Sequence, residues 1–340
     1  MPQDAPDRRT VEAVVALATR APSVHNTQPW RWATGDSSVH LFADPDRTLP
    51  AVDPDGRDLL ISCGAALHHL RVGFASLGWA TEVHRLPNPA EPDHLAAITF
   101  HPRQATAVDI GLAAAIPHRR TDRRRFSSWP VPADLLDVLT EHAARQGVIA
   151  VPATNPEDRF RLTSAITLAS WRQGMDPAYH AELTAWAGRG FAAEDGVPAA
   201  NTPAAAVHHG DVAMRTFPGG ALDVSEIGAE DDAGELLVLA TPADDRVSRL
   251  RAGEALSAVL LAATDFRLAT CPLSQATEFA ATRDALRDAV LGTVGVPQIV
   301  LRVGWAPVSG EPLPSTPRRP AADVFGDYPS TRAAHLGGTR

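Results

Sequence analysis

The chain has 340 residues, 44% of them hydrophobic, enough to bury a substantial core and to form two domains of ordinary size. A formal net charge of −9 and a pI near 5.8 argue against coating nucleic acid, which needs a basic field to hold phosphates. No apolar run reaches membrane-spanning length, and the start "MPQDAPDRRT" lacks the apolar core of a secretory signal, so a cytoplasmic protein with no membrane or nucleic-acid partner is expected.

Thr10–Arg20 has helical spacing, with Val11, Val14, Val15 and Ala18 on one face, Thr10 as the N-cap and Pro22 closing the segment. It runs into "RAPSVHNTQPWRW" (Arg20–Trp32), too polar for a core and too aromatic for a plain loop. "VHLFAD" (Val39–Asp44) reads as a strand, and "DPDGRD" as a turn into a second helix carrying Leu59, Cys63, Ala66, Leu70, Phe74 and Leu77, with Gly78 at its C-terminal cap. "HLAAITFH" (His94–His101) is the next strand.

The run "GAALHHLRVGFASLGWAT" (Gly64–Thr81) aligns without gaps with "GEALSAVLLAATDFRLAT" (Gly253–Thr270), sharing five identities in eighteen, and each run is followed, after a loop, by a strand, the second being "PQIVLRVG" (Pro297–Gly304). Two amphipathic helices can end alike by chance; the shared strand favours a duplication. The halves are then unequal, 1–112 and 113–340, and the second contains a long irregular insertion, about 188–232, that is either disordered or a functional lid.

All 31 basic residues are Arg, so a P-loop lysine and a Schiff-base lysine are both excluded. Cys63 and Cys271 are the only cysteines and form no CxxC pair; both are expected to pack as small apolar residues. The adjacent pairs His68-His69 and His208-His209 lack a ligating partner one helical turn away, and no metal site is expected. Nothing matches G-x-S-x-G or G-x-G-x-x-G. Three polar clusters remain: Ser23, His25, Asn26 and Gln28 in the opening stretch; "HRRTDRRRF" (His118–Phe126); and "STPRRP" (Ser315–Pro320). Two Arg-rich stretches in an acidic protein are either solvated faces or an anion site, since a guanidinium fork matches phosphate.

The motif "APSVHNTQPWRW" resembles the P-S-x-x-N-x-Q-P-W signature of FMN-dependent nitroreductases, and "RRTDRRRF" resembles that family's R-R-S-x-R segment. "CPLSQ" (Cys271–Gln275) is similar to its Pro-containing turn after the long helix, and "GVPQIVLRVGWAP…TPRRP" to its last strand and basic tail. Nearly the whole chain resembles the Acg-like branch. The resemblance implies an α+β nitroreductase fold in tandem unequal halves, like a fused dimer. It also implies one retained flavin site, because the first half keeps the loop and the second keeps "RRTDR".

It further implies that Arg119, Arg120 and Thr121 grip the FMN phosphate or ribityl chain, with Thr121 in place of the usual Ser, and that Arg318 and Arg319 complete the clamp. Arg123 would lie near flavin N1, where a fixed cation stabilises the charge of two-electron reduction. Ser274 and Gln275 would present backbone N–H groups to the N5 and O4 edge, while Ser23, His25, Asn26 and Gln28 close over the cofactor and Trp30 and Trp32 anchor their loop in the core. The implied activity is hydride transfer from NAD(P)H through FMN to a nitroaromatic, quinone or other electrophile, with no side-chain nucleophile. The alternative is an FMN store or redox sensor whose lid covers the flavin. Either a monomeric fused dimer or a further homodimer is compatible.

Overall fold

The computed structural model describes residues 5–189, 193–203, 205, 207–222, 232–292, 295–307 and 311–328. Helix α1 (Arg8–Ala18) starts two residues before the expected Thr10, because the Asp7 carboxylate accepts from the Thr10 backbone N–H at 2.7 Å and is the true N-cap. After the polar loop come β1 (Trp30–Thr34), β2 (Val39–Ala43), α2 (Arg57–Ser76), β3 (Trp79–Arg85) and β4 (His94–Pro102). Gly78, at φ +85°, lies just beyond the α2 C-terminus, as its sequence context requires. Next are α3 (Ala107–Ala115), α4 (Ala133–Ala144) and β5 (Ile149–Pro152), followed by α5 (Pro156–Met175) and α6 (Pro177–Trp186). After two small two-stranded sheets come β6 (Glu235–Thr241), α7 (Arg246–Asp265), β7 (Ala269–Leu273), α8 (Gln275–Glu278), α9 (Ala280–Leu286), β8 (Val296–Gly304), α10 (Ala321–Val324) and β9 (Phe325–Asp327).

Two main sheets share one connectivity. The first runs β9-β1-β2-β4-β3 and the second β5-β6-β8-β7, so β1-β2-β4-β3 and β5-β6-β8-β7 correspond strand for strand, all antiparallel. In both, the second strand leads into a 20-residue helix, α2 or α7, and these helices pack against each other at the centre. Small residues at the crossing, Gly64 and Gly253, let the backbones touch.

Trp30 and Trp32 are fully buried with Leu41, Leu67, Leu70, Phe74 and Ile98 beneath the first sheet, so the polar loop is anchored as expected. The second sheet is covered on both sides: Leu239, Ile299 and Leu301 pack toward α4 and α7, whereas Leu236, Val238 and Val300 pack toward Leu162 and Ile166 of α5. Cys63 and Cys271 are buried and unpaired, as expected. His68 and His69, whose imidazoles burial holds well below the usual pKa, share the Ser257 hydroxyl, each at 2.8 Å.

The expected irregular run at 188–232 holds, among its described residues, only strands of two or three residues and one 3-10 turn, but the inserted segment begins well before it. It occupies the whole span between β5 and β6 and begins with two helices, α5 and α6, whose regularity is hard to see because neither has a strong apolar face. Residues 190–192, 204, 206 and 223–231 lie outside the described residues. Beyond β8 the chain returns to the first half, where β9 pairs in parallel with β1 through Trp32 and Phe325. This crossing carries Arg318 and Arg319 to the polar loop.

Candidate functional site

The loop from Ala21 to Pro29 places three non-glycine residues at positive φ: His25 at 47°, Asn26 at 56° and Gln28 at 51°. Such conformations cost roughly 1–2 kcal/mol each outside glycine, and hydrogen bonds from distant segments offset them. The Ser23 hydroxyl accepts from the Gln28 N–H at 3.0 Å, and Ser62 of α2 accepts from Val24 at 3.0 Å. Asn26 donates to the carbonyls of Gly196 (2.9 Å) and Pro317 (3.1 Å); Gln28 donates to Glu194 (3.0 Å) and accepts from the Arg319 N–H (2.9 Å). The polar run therefore ties together both halves, the insertion and the returning tail.

Beside it lies a cluster of guanidiniums. Arg119 follows α3, its N–H bonded to Ala115 O, and its side chain is buried with Nε and Nη1 lacking any partner. Arg318 donates to the Arg20 and Ala21 carbonyls at 3.1 and 3.2 Å, while the buried Nε atoms of Arg20 and Arg318 also have no partner. Arg120 spends its donors on the carbonyls of Leu313, Pro117 and Arg119. Among the described residues no carboxylate forms an ion pair with any of these four. Burial, with Arg120 and Arg20 nearby, pushes Arg119 down to about 10; burial and the neighbouring Arg119, Arg20 and Arg120 hold Arg318 well below the usual range. Buried cations that repel one another and keep spare donors are built for an anion.

Arg319 is not brought into this cluster. Its guanidinium is paired with Asp44 at 3.3 Å and donates to the Gln28 carbonyl, and its backbone N–H bonds the Gln28 side chain, so it ties the tail to the loop instead of joining the cluster. Arg124 is likewise neutralised by Asp122 at 2.7 Å.

A cavity opens between the halves. Ser23 and His25 line it from the loop, Thr121 and Arg123 from the Arg-rich segment, and Ser274 and Gln275 from the turn after β7. Arg123 lies over the Phe217 ring, 4.8 Å from its centroid, and donates to Asn201 O at 3.0 Å. Burial, then Arg215 and Arg123, keep the His25 imidazole well below its ordinary pKa, and its buried Nε2 has no partner. The neutral ring offers one free hydrogen-bonding nitrogen.

Four cavity or cluster residues lack a sequence signal: Arg20, Asp58, Arg215 and Phe217. Arg215 comes from the insertion and bonds Ser274 at 2.9 Å and the Glu278 carboxylate; Glu278 raises its already high pKa. The stranded donors of Arg20, Arg119 and Arg318, adjoining a cavity with a buried cation and a neutral imidazole, fit a phosphate-bearing planar cofactor of the flavin mononucleotide kind.

A fold of two corresponding sheets around two crossed helices, with a loop, an Arg segment and a returning tail converging between them, defines the nitroreductase class. A structure titled as a putative nitroreductase from Anabaena variabilis has this fold, with a TM-score of 0.50 at 9% identity, covering 90% of each chain. No family model matches the chain. Among curated proteins of Mycobacterium tuberculosis, "Putative NAD(P)H nitroreductase Rv3131" is 47% identical over 94% of this chain and 92% of its own length, and "Putative NAD(P)H nitroreductase acg" is 42% identical over 96% and 98%. The chain belongs to this family of NAD(P)H nitroreductases, in its Acg-like branch, and is an oxidoreductase. No helix of the described residues is long and apolar enough to cross a membrane.

Proposed function

We propose that the protein binds one FMN per chain and passes hydride from NAD(P)H to a small electrophilic acceptor such as a quinone or nitroaromatic. The observation that carries this is the set of buried, partnerless guanidinium nitrogens of Arg20, Arg119 and Arg318, close in the chain to Pro22 and Thr121, which line a cavity built from both halves. Arg119 and Arg318 would hold the phosphate with their stranded donors, and Thr121 the adjoining chain. His25, Ser274 and Gln275 would frame the ring, and Arg123 would balance the negative charge that reduction places on it. The bound flavin would supply two-electron hydride chemistry, so no side chain need act as nucleophile.

The matched sheets support descent from a fused dimer in halves near 1–112 and 113–340. The polar loop before β1 has no counterpart before β5, where the chain reads only "GVIAVP". This asymmetry supports a single retained site. Anaerobic titration with FMN tests it: one flavin per chain is expected, bleached by NAD(P)H.

A second reading rests on a specific observation. The insertion contacts the loop through Gly196 and Glu194, meets Arg47 at Asp195 (3.1 Å) and accepts from Arg123 at Asn201. So placed, it would cover a bound flavin, as a store or sensor requires. Reduction taking minutes rather than seconds would favour storage.

A further inference from the structure

Asp58 sits in the first turn of α2, only 4% exposed, and lines the same cavity as His25, Ser274 and Gln275. Both of its carboxyl oxygens are fully buried and neither has a hydrogen-bond partner. Glu278, close by, presents the opposite case: its carboxylate accepts from Ser274 (2.7 Å), Gln173 (2.5 Å), Tyr179 (3.2 Å) and Arg215. A buried carboxylate that no donor reaches is costly, whereas a carboxylic acid is tolerated and carries a proton to give.

We propose that Asp58, in the cavity wall, is the proton donor of the reaction, its carboxylic acid supplying the proton that an acceptor takes up with each hydride. This rests on the flavin reading of the site. A quinone that gains a hydride is an anion until protonated; the Asp58 O–H bond breaks as the new O–H bond forms on the quinol. The electron pair of the broken bond stays on Asp58, and water entering as product leaves restores the acid. NAD(P)H supplies the hydride and departs as NAD(P)+, so one hydride and one proton are consumed per acceptor.

The surroundings favour this assignment. Burial raises the Asp58 pKa well above the carboxylate range, helped by Asp53 at the α2 entry and Glu278 on α8. Arg215 from the insertion and Arg57 beside it on α2 pull the other way, as does the helix N-terminus. Tyr179 of α6 and His25 of the loop also face this group; burial keeps the first protonated and the second uncharged. The net balance leaves the acid form.

The test uses the full chain. Infrared spectroscopy without FMN at neutral pH should show a carboxylic-acid carbonyl band that Asp58→Asn lacks, and in Asp53→Asn, with one neighbouring charge removed, that band should titrate away at lower pH. With FMN bound, Asp58→Asn should lose at least tenfold more in hydride transfer to benzoquinone in single turnover than in reduction by NAD(P)H. The parent's quinone step should show a solvent deuterium isotope effect and slow at alkaline pH as the acid ionises; this holds even if Asp58→Asn fails to fold. Absence of the band, an unaltered quinone rate, or no isotope effect overturns the assignment alone. Failure of the parent to bind FMN overturns the flavin reading, and the assignment with it.

Discussion

Gly64 of α2 and Gly253 of α7 face each other in matching surroundings: a Cβ built on Gly64 would lie 2.0 Å from the Leu250 carbonyl oxygen, and one on Gly253 would lie 1.9 Å from that of Ile61. Each oxygen belongs to the third residue before the facing glycine, so the crossing has a local two-fold symmetry. Both glycines open the aligned runs Gly64–Thr81 and Gly253–Thr270, and the sequence echo falls on the symmetric contact.

Alanine at either position therefore sets two effects against each other. Glycine-to-alanine in a helix interior gains about 1 kcal/mol of propensity, but the clash is with a backbone oxygen that moves only if the helices part, and overpacking costs about 1–3 kcal/mol. The clash should win. Gly64→Ala and Gly253→Ala should each lower unfolding free energy in urea, by similar amounts, without a change in slope; a gain at either site would mean the helices part freely.

The arginine cluster predicts opposite effects in two states of one variant. Arg119→Ala removes a buried cation that its neighbours repel, so the flavin-free protein should melt no lower than the parent. The same change should weaken FMN by about 1.5–3 kcal/mol, roughly 10- to 150-fold, because a charge-assisted bond to phosphate is lost. Arg318→Ala should weaken FMN similarly, but it also removes the donors to the Arg20 and Ala21 carbonyls, so its flavin-free form should melt below the parent. Arg319→Ala should bind nearly as the parent does, since Asp44 already occupies that guanidinium. Equal loss in all three variants would place the phosphate elsewhere.

Asp53 gives a pH signature. Burial pushes it up to about 6, against the helpful N–H groups of Leu59, Asp58 and Arg57. A folded-state pKa above the unfolded value means that the folded chain holds the extra proton between pH 4 and 6, so this group's contribution falls as pH rises through that window and stays low above it. The loss is at most about 3 kcal/mol. Asp53→Asn can still accept from Leu59 and is free of the effect. Its stability relative to the parent should climb from pH 4 to 6 and then level off; a flat difference in urea unfolding would show that Asp53 ionises normally.

The sequence was most legible where chemistry is local. The loop Ser23–Gln28, the pair Arg119-Arg120 and Arg318 stand in short motifs, and β2, β4 and β8 show as apolar runs, whereas most of the other strands of both sheets are too short or too polar to stand out. Arg319 shows the limit of a motif: it stands beside Arg318, yet Asp44, far back in the chain, turns its side chain away from the cluster. Asp58 was hidden because "DPDGRD" reads as a turn, and its lack of partners depends on packing against α8 and the insertion. Arg215 and Phe217 were hidden for the same reason, since the insertion has neither a motif nor a strong period to mark which residues reach inward. Helix α5 escaped because its outward side keeps Phe160, Trp171 and Met175 exposed and blurs its apolar face.

Enzyme and store are separated by two variants that act on different quantities. Arg123 has no carboxylate partner among the described residues and lies against Phe217 in the cavity. Arg123→Gln should bind FMN but lower its two-electron potential by tens of millivolts, 30 mV corresponding to about 1.4 kcal/mol of lost stabilisation of the reduced form. Arg47 is outside the cavity and pins the insertion, donating to Thr27 O at 2.7 Å and to Asp195. A half-buried pair of this kind contributes about 0.2–1 kcal/mol, so Arg47→Ala should speed reduction by NAD(P)H up to about fivefold while leaving the potential alone, because access is a kinetic property and charge a thermodynamic one. Stopped-flow reduction and a redox titration read the two independently. An unchanged potential in Arg123→Gln would remove that residue from the ring, and an unchanged rate in Arg47→Ala would mean that the insertion does not gate the flavin.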